Sequence, residues 1–125
     1  MKACFIVHFD KEYNRFAAVS RPENDKYGFA GGKVDDGETL KECALREAEE
    51  EGWFFYDVED DPFFWDRRDD GTVCYYFRSR GEFIILSKYK EKYRNILPVF
   101  LSFEKIKKQF NNEEVLKHFK CKYFF

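Results

Sequence analysis

Five of the twelve residues from Leu40 to Glu51 are glutamates, and their spacing is what could do chemistry. At about 100° per residue, a helix places Glu47, Glu50 and Glu51 on one stripe. The same stripe carries Leu40, Cys43 and Ala44 and should therefore face a core. Glu42 and Glu49 fall on the opposite side, with Arg46 on a flank. Leu45 also falls opposite, so the helix is expected to be covered on two faces. A carboxylate on a buried stripe needs a partner, because an unpaired buried charge is prohibitive. Three carboxylates at i, i+3 and i+4 also repel one another. A divalent cation would meet both needs, and oxygen-only ligands suit Mg²⁺, or Mn²⁺ in its place. Basic side chains are the alternative way to neutralise the cluster. The only histidines are His8 and His118. They offer no zinc cluster and no Ser-His-Asp or Cys-His arrangement.

The elements that must position these groups are legible nearby. Thr39 and Glu42 form a Thr-x-x-Glu capping box at the start of a helix spanning about 39–51. Gly52 is its natural stop. Just upstream runs Gly28-Phe29-Ala30-Gly31-Gly32-Lys33-Val34-Asp35-Asp36-Gly37-Glu38. Its glycines allow close backbone approach to a ligand, and Lys33 adds a cation suited to phosphate. It is neither a Walker A loop nor a dinucleotide fingerprint. Strands are expected at Ala3 to Phe9, Arg15 to Ser20, Thr72 to Ser79, Phe83 to Leu86 and Leu97 to Phe103. Lys11 to Asn14 suits a hairpin, Arg21 to Tyr27 reads as a loop, and Asp66 to Gly71 as a charged turn without chemistry. Glu104 to Phe110 and Asn112 to Phe119 read as helices. Strands around one strong helix and a C-terminal helix predict an α/β or α+β layered domain.

Composition bounds the rest. At 125 residues the chain has the length of one domain, read as 1–125, and can bury about two-thirds of its unfolded surface. Apolar residues at 44% with charged residues at 37% exclude a disordered chain. The longest apolar runs, Ala3 to Phe9 and Ile96 to Phe103, are too short to span a bilayer, so no membrane partner is expected. From Asp35 to Asp70 fifteen acids face four bases, whereas from Lys88 to Lys122 ten bases face four acids. The acidic half would repel nucleic acid, and the basic half reads as a solvated helix face. Cys4, Cys43, Cys74 and Cys121 contain no Cys-x-x-Cys pair and suit reduced thiols in a cytoplasm. Phe5, Tyr27, Phe29 and Tyr76 could stack on a nucleobase or simply fill the core.

The spacing Gly32, five residues, Glu38, seven residues, Arg46-Glu47-Ala48-Glu49-Glu50-Glu51 resembles the Nudix box, G-x5-E-x7-R-E-U-x-E-E-x-G-U with U apolar. Gly28 to Val34 resembles the loop of MutT-type nucleoside triphosphate pyrophosphatases. Two positions depart from the pattern. Gly52 follows Glu51 directly, leaving Trp53 at the usual glycine, and Ala30 stands where a proline often precedes the glycine pair.

The resemblance implies an α/β/α sandwich with a central mixed sheet. It implies a metal-dependent hydrolase of a nucleoside diphosphate linked to a group X. The metal ligands would be Glu47, Glu50, Glu51 and the carbonyl of Gly31, with Arg46 bracing the carboxylates and Glu38 fixing the loop to the helix. Glu50 or Glu51 would act as base, and Glu82, Glu91 or Glu104 could add a later glutamate. Lys33, Arg21 and Gly32 would contact substrate. Nucleoside triphosphate is the leading substrate, with ADP-ribose or a dinucleoside polyphosphate as the alternative. A regulatory nucleotide-binding domain without turnover is a third reading. A homodimer is left open.

Overall fold

A computed structural model of the chain describes residues 1–21, 26–86, 95–108 and 112–123, with backbone alone at 26, 112–113 and 120–123. Its elements in order are β1 (Lys2–Asp10), β2 (Arg15–Arg21), β3 (Lys26–Gly28), β4 (Ala30–Lys33), α1 (Leu40–Glu50), β5 (Trp53–Val58), β6 (Phe64–Arg67), β7 (Val73–Ile85), β8 (Leu97–Leu101), α2 (Phe103–Lys107) and α3 (Asn112–Tyr123). Eight strands join in a mixed sheet with the central order β3-β2-β1-β7-β5. β1 and β7 run parallel, from Lys2 opposite Val73 to His8 opposite Ser79. The other pairings are antiparallel.

The period of two along each strand feeds two cores, one on each face. Ala3 and Val7 of β1, Phe16 and Ala18 of β2, and Cys74 and Tyr76 of β7 face Ile106 of α2 and Val115, Leu116 and Phe119 of α3. Cys4 and Ile6, Ala17 and Val19, and Phe77 face Cys43, Ala44 and Ala48 of α1. Because both faces are covered, burial along β1 and β2 looks continuous rather than alternating. The result is the expected α/β/α sandwich. Among the described residues, no helix is long and apolar enough to cross a membrane.

Several local expectations need correction. The loop expected at Arg21 to Tyr27 is strand at both ends: Arg21 closes β2 and pairs with Lys26 of β3. The segments 22–25 and 87–94 lie outside the described residues, and so does part of the helix expected to end at Phe110. The strands expected at Thr72 to Ser79 and Phe83 to Leu86 are one strand, β7, which continues through Gly81 at φ +71°. A turn signal at Gly81 is overridden because β5 pairs alongside both halves. The strand β5 itself went unread, although Trp53-Phe54-Phe55-Tyr56 has strong strand propensity. Trp53 is fully buried, and its indole N–H donates to the Ala18 carbonyl at 2.8 Å.

Candidate active site

The helix that carries the glutamates is capped as its sequence dictates. Thr39 Oγ1 accepts the Glu42 N–H at 3.1 Å, and Glu42 Oε1 accepts the Thr39 N–H at 3.0 Å. At the other end Gly52 adopts φ +99° and its N–H donates to the Glu49 carbonyl. The helix therefore stops at Gly52, and Trp53, at the usual glycine position, is free to enter β5. Glu47, Glu50 and Glu51 are all buried, at 7%, 5% and 1% exposure, whereas Glu42 and Glu49 are exposed. Leu45 is half-buried at the margin of the same core as Cys43, Ala44 and Ala48 and also lines a groove beside β5, so the second covered face expected for the helix is not seen among the described residues.

β4 runs against this stripe at a distance only glycine tolerates. A Cβ at Gly32 would lie 2.5 Å from the Glu47 carboxylate, and one at Gly31 would lie 2.1 Å from the Cys4 carbonyl oxygen. The Gly31 N–H donates to Glu51 Oε1 at 2.7 Å. The contact Gly31 makes with the trio is thus through its amide.

Two arginines neutralise the trio. Arg46 Nη1 donates to Glu47 Oε1 at 2.8 Å and to Glu50 Oε2 at 3.2 Å. Arg46 is itself gripped by both oxygens of Glu38, at 2.6 and 3.1 Å, and by the Lys33 carbonyl at 3.0 Å. Glu38 also accepts the Asp35 N–H at 2.9 Å, tying the glycine turn to the helix. The Arg46 guanidinium holds the Glu38 carboxyl below its ordinary range. Arg21 Nη2 donates to Glu51 Oε2 at 3.0 Å. Burial nevertheless pushes the Glu51 carboxyl up to about 7, against the opposing pull of Arg21 and the Gly31 N–H.

Of the two ways to neutralise a buried acid stripe, this structure displays the basic side chains. Among the described residues, no three His, Cys, Asp or Glu side chains converge closely enough to hold an ion in this arrangement. The donor set still fits a hard dication by chemistry: three buried carboxylates on adjacent turns, with oxygen ligands only. A cation there would take carboxylate oxygens now held by Arg46 and Arg21.

Beside the stripe opens a cavity of about 460 Å³, within the size range of nucleotide-sized ligand pockets. Its wall includes Arg21, Gly31, Gly32, Lys33, Arg68 and Asp70. Phe5 and Tyr76 stack along it with centroids 5.4 Å apart, and Phe29 meets Tyr76 edge to face at 6.4 Å. Arg68 lies over the Phe5 ring at 5.4 Å.

The charged hairpin turn expected at Asp66 to Gly71 begins two residues later, because Asp66 and Arg67 end a strand, β6, and the turn that joins it to β7 places Arg68 and Asp70 in the cavity wall. The signal was present in the density of charge before Gly71, but only the pairing of β6 with β7 places it. Tyr27 does not line the cavity. Among the later glutamates, Glu82 and Glu104 are exposed, on β7 and α2, and neither lines the cavity. Glu91 lies outside the described residues. Cys4, Cys43 and Cys74 are buried free thiols.

A mixed sheet between helices, with a capped glutamate helix set against a glycine turn, defines the Nudix class of fold and site. The chain belongs to the NUDIX domain family, whose model matches residues 2–120. Among solved structures it is similar to a MutT NUDIX hydrolase from Burkholderia pseudomallei, at 17% identity and a TM-score of 0.70 over 94% of each chain. A MutT protein from Bacillus halodurans is 15% identical, with a TM-score of 0.68 over 94% of this chain and 80% of that one. An ADP compounds hydrolase is 16% identical with a TM-score of 0.61, covering 93% of this chain, which spans 61% of that protein's length. No curated protein sequence matches the chain.

Proposed function

We propose that this single domain is a divalent-metal-dependent pyrophosphohydrolase that cleaves a nucleoside diphosphate linked to X, with a nucleoside triphosphate as the leading substrate. The observation that carries this reading is the buried Glu47, Glu50 and Glu51 stripe set directly behind Arg21, Gly31 and Gly32, which line a cavity together with Lys33 and Arg68. Glu47, Glu50 and Glu51 would hold Mg²⁺ or Mn²⁺, joined by the Gly31 carbonyl. The ion supplies charge neutralisation of the diphosphate and a more acidic bound water.

The chain's own residues do the rest. Arg46, anchored by Glu38, keeps Glu47 and Glu50 oriented. Lys33 and Arg68 attract the phosphates, and Gly32 lets the backbone come close to them. Glu50 or Glu51 would accept the proton of the attacking water. Phe5, Phe29 and Tyr76 offer flat surfaces to the base.

A cavity of about 460 Å³ suits one nucleotide better than two, which favours the triphosphate over a dinucleoside polyphosphate. The similarity to an ADP compounds hydrolase keeps ADP-ribose as the second reading. The test is a panel of nucleoside triphosphates, ADP-ribose and dinucleoside polyphosphates incubated with Mg²⁺ and read by product identity. Monophosphate plus pyrophosphate from a triphosphate is the expected result. Tight binding of the whole panel without turnover at saturating Mg²⁺ would instead identify a regulatory domain. Millimolar Mg²⁺ is also expected to raise the melting temperature by a few degrees, since a ligand of the folded state stabilises it. An unchanged melting curve from EDTA to Mg²⁺ would count against the metal site.

A further inference from the structure

The two arginines on the glutamate stripe are anchored very differently. Arg46 keeps both oxygens of Glu38 and the Lys33 carbonyl even if Glu47 and Glu50 are taken from it. Arg21 has one charged partner among the described residues, Glu51 Oε2 at 3.0 Å. Its side chain is 24% exposed and stands in the cavity wall. A cation bound at Glu51 and the Arg21 guanidinium would compete for the same carboxylate, whose other oxygen is committed to the Gly31 N–H.

We propose that Arg21 is a displaceable counterion of Glu51, released when a divalent cation takes that carboxylate and then captured by the substrate's phosphate in the adjoining cavity. The proposal rests on the reading of the site as a metal-dependent nucleotide hydrolase. A released, half-buried guanidinium needs a new anion. Among the described residues, the cavity's other charged side chains are Lys33, Arg68 and Asp70, so releasing Arg21 leaves three described cations on the wall with one described carboxylate. An incoming polyphosphate resolves that excess. Linkage then makes metal and nucleotide each favour the other's binding. Arg21 thus competes with the metal at Glu51 and, once released, makes the substrate contact that the resemblance implies for it.

The test is Mg²⁺ titration of the full chain by calorimetry without nucleotide, at pH 9 so that a proton does not take the cation's place on Glu51. Arg21→Ala removes the competitor and is expected to bind Mg²⁺ roughly three- to tenfold more tightly than wild type, the scale of a part-buried ion pair. With Mg²⁺ saturating, the same variant is expected to bind a methylene-bridged ATP analogue about tenfold more weakly. In turnover KM should rise more than kcat falls. Arg21→Lys keeps a competing cation and should return Mg²⁺ affinity toward wild type. It also serves if Arg21→Ala does not fold.

A merely structural Arg21 would lower both affinities together, and unchanged or weaker Mg²⁺ binding in Arg21→Ala overturns the proposal. Tighter Mg²⁺ binding in a chain that hydrolyses nothing on the panel would leave the displacement standing and sink the hydrolase reading. Normal hydrolysis with flat Mg²⁺ affinity would do the reverse. A wild-type chain that binds no Mg²⁺ overturns both.

Discussion

Among the described residues, two concavities of similar size can be compared. The larger, about 540 Å³, runs along α1 and β5, and its walls include Lys41, Leu45, Glu49, Asp57, Glu59 and Asp60. The smaller, about 460 Å³, lies against the glycine turn and is walled by Arg21, Lys33 and Arg68 with one acid, Asp70. Size would select the first. Charge selects the second, because a polyphosphate is repelled by four carboxylates facing one lysine. The buried acids do not line the second cavity but lie behind its wall, where Arg21 and Gly31 bond Glu51 and Gly32 abuts Glu47. Glu51 is 1% exposed, whereas Glu49, two residues away and facing the larger groove, is exposed. One helix thus presents acids to both regions, and only burial turns them into candidate chemistry.

The largest test of this contrast is Glu50→Gln. It keeps the size of the side chain but removes a buried carboxylate from the stripe. Expected is a loss of about 10²- to 10⁴-fold in kcat with a small change in melting temperature. The matched change across the helix, Glu49→Gln, should leave kcat within about twofold. Equal losses from both variants would erase the distinction between the regions.

Gly31→Ala probes the approach of β4 to its neighbours. The added Cβ would meet the Cys4 carbonyl oxygen at 2.1 Å and Phe5 Cα at 2.7 Å, both backbone atoms. Expected is a destabilisation of about 1–3 kcal/mol by denaturant unfolding, the ordinary cost of overpacking.

His8 sharpens the contrast by standing outside both cavities. It is 1% exposed and stacks on Phe55 at 5.3 Å and against Phe83 at 4.8 Å, with its Nδ1 hydrogen-bonded to Ser79 Oγ at 2.8 Å. Burial lowers its imidazole to about 4. The folded state therefore keeps it neutral, and the unfolded chain binds the proton first. Its contribution to stability is fully present above about pH 6.5 and is lost as pH falls from 6.5 toward 4, roughly 1–3 kcal/mol in all. Melting curves across that window should show a smaller decline for His8→Gln than for wild type. An identical decline would place the pH dependence elsewhere.

The smallest effect is expected in the larger groove itself. Lys41 pairs with Asp60 at 2.6 Å, but Asp60 is 91% exposed. Lys41→Ala should leave both turnover and melting temperature unchanged within error, since exposed ion pairs contribute little. A clear loss of activity would give that groove a role in binding.

The glutamate helix was legible before any coordinates because its signals are local. Thr39 and Glu42 cap it, and a period of 3.6 sets Glu47, Glu50 and Glu51 beside Cys43 and Ala44. The same periodicity left two neutralising partners open, a dication or basic side chains. Strand β5 was missed because Trp53 to Val58 is buried at Trp53, Phe55 and Val58 but broken by a register shift between Phe55 and Asp57. The placement of Arg68 and Asp70 in the cavity wall was not legible because a charged turn reads the same whether it faces solvent or a cavity.

By itself, then, the sequence determined that three carboxylates would share one buried stripe behind a glycine turn, since helical geometry within a dozen residues allows little else. The tertiary structure alone decided their partners. Gly31 lies 20 residues from Glu51 and Arg21 lies 30, and each is brought to a different oxygen of the same carboxylate. Arg68 is carried to the cavity by the pairing of β6 with β7. Such contacts depend on strand register and layer packing, which bring together residues whose spacing along the chain carries no trace of their meeting.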